Sequence, residues 1–363
     1  MPDLANEEKS NILLLMTILV QKSLPLMVFR KLVEKGFDVH VSYYYDAKGI
    51  YTPDFAHDFA ARGRLHDLRP LHQSLYFHRI ADIIEQNDID VIVQNGCEPA
   101  YPLIPQLKLR FPHLKVVDIL YNKIGHTVSH FLYENAIDRV VVESRFMKDY
   151  ILENTRKKDK QVLINENGVD LEYLKSLPCE RQSESEFVVG YIGRMSPEKN
   201  PLGFVTLAES LSAAIPDLRF KMFGDGVQTA EVLRRISQSS HEKKFEVEGF
   251  VGDVRDALKT VDVIIVPSIF DGRPNIVMEA NASGVPVLGA PVGAIPEMII
   301  DGENGFLVEP NNIRDIAKIL QRWMSDAALY KEVRQKSRAT AVKRFSNDKM
   351  FDRYANAVSS FTT

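Results

Sequence analysis

Short runs rich in Val and Ile recur along this chain, each followed by a stretch with helical apolar spacing, and the series is played out twice. In the first half the runs fall at 11–20, 37–43, 90–94, 115–120, 139–142 and 161–164. In the second half they fall at 187–192, 219–222, 245–248, 262–267, 285–288 and 305–308. Runs with little polar alternation suit strands buried on both faces, as happens when helices cover both sides of a parallel sheet. Helical patterns such as 26–35 and 75–87 lie between them. The alternation predicts right-handed βαβ units and an α/β fold class. The polar stretch Pro178–Glu186 (PCERQSESE) has no hydrophobic period and reads as a linker.

At 363 residues the chain is too long for one ordinary core. The expectation is two Rossmann-like domains with parallel sheets and a cleft between them, over 1–178 and 187–345. Ligands in such sheets bind at the carboxyl ends of the strands. Helical segments at 313–325, 327–344 and 347–360 close the chain, with Ser346 and Asn347 as capping residues for the last.

Composition removes several function classes. A hydrophobic fraction of 45% with 26% charged residues belongs to a soluble globular protein. A net charge of -4 argues against a general nucleic-acid binder. Cys97 and Cys179 have no metal-ligand spacing, so neither a zinc site nor a disulfide framework is expected, and a cytoplasmic setting is the default. The apolar run Ile12–Val20 follows Asn6-Glu-Glu-Lys-Ser10 rather than a basic segment and is too short to span a bilayer. It reads as a buried first strand.

Four stretches of the second half carry chemistry. Gly193-Arg194-Met-Ser-Pro-Glu-Lys199 follows the first strand of that half, so two cations reach over one strand-end loop. They suit a diphosphate, and Arg binds phosphate oxygens bidentately. Phe223-Gly224-Asp-Gly226 lies at the next strand end, where glycine permits close approach of a ligand. Glu248-Gly-Phe250-Val251 ends a strand in an aromatic suited to stacking on a planar base. Finally Asp271 sits on a loop and Glu279 eight positions later, inside a helix opened by Pro274-Asn275-Ile276. The amides of Asn275 and Ile276 would meet an anion, and Glu279 would accept from a pair of hydroxyls just beyond it. Pro274 has no amide to give. Each stretch alone is equally compatible with an ordinary strand–helix turn. Together they point to a nucleotide sugar.

The pieces GRMSPEKN, FGDG, EGFVGDV, PSIFDGRPNIVMEANASGVPVL, PVGAIPEMI and DGENGFLVEP, over about 187–310, resemble the nucleotide-sugar domain of GT-B-fold retaining glycosyltransferases of family 4, the glycosyltransferase group 1 proteins. INENGVDLEYL and RFSNDKMFDRYANAV are similar to that family as well. The resemblance implies that the last helix (346–363) crosses back to the first domain. It implies that Arg194 and Lys199 stabilise the departing nucleoside diphosphate, that Phe250 and Val251 contact the base, and that Glu279 binds the ribose. Asp271 stands where the family's first Glu contacts the donor sugar. It also implies a metal-independent enzyme without a cofactor. The first domain of the family often supplies a histidine near the sugar, for which His126 and His130 are the candidates and His126 the choice.

The chain departs from the family in three places. Asp271 is one methylene shorter than Glu. Val20-Gln-Lys22-Ser23 stands where a Gly-Gly is usual, and Gly293-Ala294 replaces Gly-Gly before Pro-Glu. The reading is a transferase moving a hexosyl group from a UDP- or GDP-sugar to a glycan, lipid-linked or small-molecule acceptor. Its rivals are a sugar-nucleotide epimerase on the same fold and a non-catalytic partner subunit. Asp88-Ile-Asp90 spells a metal–diphosphate motif of another fold, but on the wrong end of a strand. No nucleophile elbow and no Gly-x-Gly-x-x-Gly after the first strand are present. The first-domain loops hold Tyr43, Tyr44, Tyr45 and Tyr51, which suit either glycan stacking or packing. Lys22, Arg30, Lys31 and Lys35 suit either a solvated helix face or peripheral contact with the inner membrane face.

Overall fold

The computed structural model describes residues 10–19, 24–45, 56–176 and 186–359. The chain forms two compact units: residues 1–166 together with 348–363, and residues 167–347.

Among the described residues, the first unit holds a seven-stranded parallel sheet in the order β3-β2-β1-β4-β5-β6-β7. The strands are β1 (Asn11–Met16), β2 (Asp38–Tyr43), β3 (Leu65–Asp67), β4 (Val91–Asn95), β5 (Lys115–Leu120), β6 (Arg139–Val142) and β7 (Val162–Ile164). Along β1, Leu13 and Leu15 enter one apolar core while Ile12, Leu14 and Met16 enter the other. That is why the run Ile-Leu-Leu-Leu-Met shows no polar alternation. β1 stops at Met16, short of the expected Val20, because the Thr17 carbonyl accepts from the amides of Tyr44 and Tyr45 and its hydroxyl donates to the Gly96 carbonyl. Val20 itself lies outside the described residues.

β3 is an addition to the expected strands. It contains one apolar residue, so no run betrays it. It is held at the sheet edge by pairing with β2 and by a bond between His40 Nδ1 and His66 Nε2 at 2.9 Å. The helix Asn347–Ser359 buries Met350, Tyr354 and Ala355 in the core of this unit. Arg353 donates to the Asn165 side chain and to the Glu166 carbonyl.

The second unit holds a six-stranded parallel sheet among its described residues, in the order β10-β9-β8-β11-β12-β13. Its strands are β8 (Phe187–Ile192), β9 (Leu218–Phe223), β10 (Phe245–Gly249), β11 (Val263–Val266), β12 (Val287–Gly289) and β13 (Gly305–Leu307). Residues alternate between two cores here as well: Val263 and Ile265 on one side, Ile264 and Val266 on the other.

The division of the chain differs from the expected 178/187 boundary and falls after Glu166. Val169 donates its amide to the Phe345 carbonyl and accepts from Asn347, while Val169 and Leu174 are buried in the second unit's core. Burial of these two side chains outweighs the polar composition of 178–186, most of which lies outside the described residues.

Candidate active site

The order in which strands are added reverses between β8 and β11, the neighbouring parallel strands at the middle of the second sheet. Such a switch point leaves a crevice at the strands' carboxyl ends, because the flanking loops turn away from each other. A cleft of about 320 Å³ opens there. It is lined by Gly193, Arg194, Lys199, Asp271, Asn275, Ile276 and Glu279, and also by Tyr191 and Ser268.

The loop after β8 is fixed from two sides. Gly193 and Met195 donate amides to the carbonyls of Phe223 and Asp225. The buried Tyr191 hydroxyl donates to the Arg194 carbonyl at 2.8 Å. Asn200 adopts a left-handed conformation (φ 55°) and caps the helix Pro201–Ala214 through Gly203, while its Nδ2 donates to the Pro267 carbonyl at 3.0 Å. The Ile269 amide donates to the Glu198 carbonyl at 2.9 Å. The lysine loop and the aspartate loop are thereby tied into one body.

Lys199 Nζ lies 2.5 Å from Asp271 Oδ2, and the buried Ser268 hydroxyl donates to the same oxygen at 3.1 Å. Asp271 is only 6% exposed, so its charge is held by these two partners rather than by water. Arg194 is different. Its side chain is 70% exposed, with the Glu198 carboxylate 3.9 Å away, so it can swing to an anion at little cost.

The helix Asn275–Ala282 begins behind Pro274, which has extended backbone (φ -67°, ψ 120°). The first-turn amides of a helix have no internal acceptor and favour negative charge. The Asn275 side chain is oriented by Asn167, whose Nδ2 donates to Asn275 Oδ1 at 2.7 Å. One turn on, Glu279 lines the cleft against apolar neighbours, and burial pushes its carboxyl up to about 7.

The glycines serve the protein backbone. A Cβ on Gly224 (φ +131°) would strike the Gly193 carbonyl, and one on Gly226 would come within 2.5 Å of the Met195 carbonyl. Gly224 lets two strand-end loops touch. Gly293 (φ +57°) likewise abuts the Asp271 carbonyl, which also accepts from the Ala294 amide. Gly293→Ala is expected to lower stability by about 2–4 kcal/mol in urea titration, from left-handed strain plus a backbone collision. Phe250 and Val251 do not line the cleft. Phe250 stands 82% exposed beyond β10, and Val251 packs against the core beneath the loop.

Residues 178–340 match the family model described as "Glycosyl transferases group 1". The matched residues lie within the second unit. Among curated relatives, the Escherichia coli "UDP-Gal:alpha-D-GlcNAc-diphosphoundecaprenol alpha-1,3-galactosyltransferase" is 28% identical over 57% of this chain and 61% of its own length. The Staphylococcus aureus "Poly(ribitol-phosphate) alpha-N-acetylglucosaminyltransferase" is 23% identical over 58% of this chain and 46% of its own. The matches thus span about half the length of these relatives. Among solved structures, a Rickettsia africae glycosyltransferase aligns with TM-score 0.79 at 20% identity, covering 98% of this chain and 99% of that one. Anabaena HepE in complex with UDP aligns with TM-score 0.77 at 18% identity, covering 96% and 100%. The fold is that of the GT-B glycosyltransferases, with two Rossmann-like units each built on a parallel sheet.

In the first unit, the two candidate histidines of this glycosyltransferase fold separate cleanly. His130 is fully buried, with Nδ1 2.7 Å from Asp118 Oδ2, and Asp118 also accepts from the Tyr101 hydroxyl. His126 is partly exposed, and its Nε2 meets the Ile119 carbonyl at 2.9 Å. A carbonyl only accepts, so Nε2 carries the proton and Nδ1 of the neutral ring carries the lone pair. Asp90 accepts the Asn11 amide at 2.9 Å, which places the Asp88/Asp90 pair at the opposite end of β4 from its carboxyl edge.

The basic residues of the first helix are neutralised: Arg30 pairs with Asp58, Lys31 with Glu34 and Lys35 with Asp352. Lys22 lies outside the described residues. Of the loop tyrosines, Tyr43 is buried, Tyr45 is 54% exposed and Tyr51 lies outside the described residues. No described helix is long and apolar enough to cross a membrane. Sequence reasoning missed Ser268, Asn200 and Asn167, whose roles depend on partners dozens of residues or one loop turn away and leave no local spacing signal.

Proposed function

We propose that this protein is a retaining, metal-independent hexosyltransferase using a UDP- or GDP-linked sugar. The supporting observation is the joint placement of Arg194, Lys199, a helix N-terminus and Glu279 around one cleft at the sheet's switch point. Each contributes what one part of a nucleotide sugar needs. The two cations and the amides of Asn275 and Ile276 take the diphosphate, in the role a metal plays elsewhere. Glu279 takes the ribose diol, Phe250 and Val251 lie toward the base, and Asp271 takes sugar hydroxyls. The UDP of the HepE complex and the UDP-Gal in the E. coli relative's name favour uridine.

On this reading the first unit binds the acceptor, a glycan, lipid-linked or small-molecule hydroxyl, and His126 serves the donor sugar through Nδ1. The acceptor oxygen attacks the anomeric carbon on the face from which the diphosphate departs. The bond from that carbon to the phosphate oxygen breaks, and the departing oxygen takes the acceptor's proton. Configuration is retained, and no side-chain base is required.

The test is a thermal-shift screen with UDP-, GDP-, ADP- and dTDP-sugars on wild type and on the Arg194→Ala/Lys199→Ala variant. A donor at a hundred times its dissociation constant stabilises by about 2.7 kcal/mol. One nucleotide class is expected to shift wild type alone. A shift that survives in the double variant would place the donor elsewhere. Anomeric NMR of the product is expected to show retention, and an inverted product would overturn the stereochemistry proposed. Isomerised donor in the absence of acceptor would identify an epimerase instead. Donor binding without turnover on any acceptor would identify a non-catalytic partner.

A further inference from the structure

Asn275 opens its helix without capping it. An asparagine at a helix start readily turns its side-chain oxygen onto nearby first-turn amides. Here that oxygen accepts instead from Asn167 Nδ2 at 2.7 Å, and Pro274 at the cap position offers no side-chain bond. The Val277 amide donates to the Pro274 carbonyl at 3.2 Å. The amides of Asn275 and Ile276 keep no acceptor within the helix, in a segment that lines the cleft.

Asn167 is built to hold this arrangement. It is 5% exposed, and the chain beyond it is clamped. A Cβ on Gly168 would come within 2.6 Å of the Ser346 backbone, and Val169 bonds Phe345 and Asn347. Asn167 Oδ1 is buried and accepts no hydrogen bond from the described residues. Turning this amide round would strand an NH2 group there in place of an oxygen, which is the costlier choice. Asn167 therefore donates and Asn275 accepts. A side-chain amide is planar, so fixing the Asn275 oxygen also fixes its nitrogen, which points away from Asn167. Neither N–H of that nitrogen bonds any described residue, and the Asn275 side chain is exposed where it lines the cleft.

We propose that Asn275 Nδ2 binds the donor's diphosphate directly, and that Asn167 is the positioning residue that turns it there. The inference rests on the donor-site reading and deepens it. A hydroxyl can meet either end of an amide, because it both donates and accepts. A phosphate oxygen only accepts, so it gains from one orientation and is repelled by the other. Locking the amide with its oxygen turned away suits the anion. It also removes the side-chain oxygen that would compete with the anion for the helix's own first-turn amides.

The experiment is isothermal titration of the full chain with UDP and with GDP, following the tighter of the two. Asn275→Ala is expected to weaken binding about tenfold, the lower end for a hydrogen bond to a charged group. Asn275→Asp keeps the shape and the bond from Asn167 but sets an oxygen where Nδ2 stood, so a loss of about a hundredfold is expected. Its melting midpoint without nucleotide should rise, since a carboxylate suits a helix N-terminus. A purely structural role predicts the reverse order, with the aspartate variant binding better than the alanine one, and that order would overturn the proposal. Asn167→Ala is expected to weaken binding about fivefold in wild type and to add nothing to Asn275→Ala, because the two residues act as one unit. An additive loss of about fiftyfold would overturn the positioning role. Nucleotide binding that depends on Arg194 and Lys199 but is unaltered in Asn275→Ala would overturn this inference alone. Failure of wild type to bind either nucleotide would overturn the donor-site reading and this inference with it.

Discussion

Lys199→Ala is expected to lower kcat/KM by about three orders of magnitude, the largest single loss in the cleft. A fixed cation about 4 Å from a phosphate contributes about 4 kcal/mol in a partly screened site before desolvation is subtracted. Each 1.4 kcal/mol or so is a factor of ten in rate. The same ammonium lies against Asp271, which is nearly inaccessible to solvent. Removing the lysine therefore leaves a buried carboxylate with the Ser268 hydroxyl as its described partner. An under-satisfied buried acceptor costs about 1–3 kcal/mol, and the partial exposure of Lys199 places the cost toward the lower end. Thermal melts should show that loss in Lys199→Ala and its recovery in Lys199→Ala/Asp271→Asn, while steady-state kinetics should show no recovery of transfer. If Lys199→Ala turned over within tenfold of wild type, the diphosphate would have to lie outside this cleft.

Glu279→Gln is expected to make the protein more stable and less able to hold a donor. Burial raises this carboxyl from an ordinary 4.5 to about 7 in the folded chain. Between those values the folded state holds a proton that the unfolded state has released, so stability falls as pH rises through this window. The loss is complete above pH 7 and is of order 3 kcal/mol. Glutamine has no proton to lose, so urea melts of the variant should lack this slope and exceed wild type at pH 8. Donor binding runs the other way. A ribose diol donates to the carboxylate, so the ionised form binds and binding expels a proton. Calorimetry with a nucleotide sugar should show wild-type affinity falling by up to about a hundredfold from pH 8 to pH 5. The variant should bind weakly at all pH values. A pH-independent wild-type affinity would remove Glu279 from the ribose. The stabilisation forgone at this residue is what a site held ready for a ligand commonly shows.

The cleft was largely legible before the fold was known. Arg194, Lys199, Asp271 and Glu279 each occupy a set distance from the end of a Val/Ile run, and a parallel sheet gathers its strand ends along one edge. Spacing along the chain thus became proximity in space without knowledge of packing. Gly224 was legible as a strand-end glycine, but the carbonyl thirty-one residues earlier in the chain that its missing Cβ avoids was not.

The sequence by itself determined the α/β class, the two series of strands and the cleft's charged residues, because periodicity and strand-end position are local properties. Tertiary structure alone decided the rest. It added β3, whose three residues become a strand only by pairing with β2. It moved the division of the chain to Glu166, where burial of Val169 and Leu174 overrode local polarity. It separated a sealed His130 from a partly open His126, though both lie on one short helix. It also turned that helix so that Thr127 and His130 face inward and Val128 and Leu132 face out. The hydrogen bonds to Asp118 and Asn122 that hold it this way come from elsewhere in the fold, and no pattern within the helix encodes them.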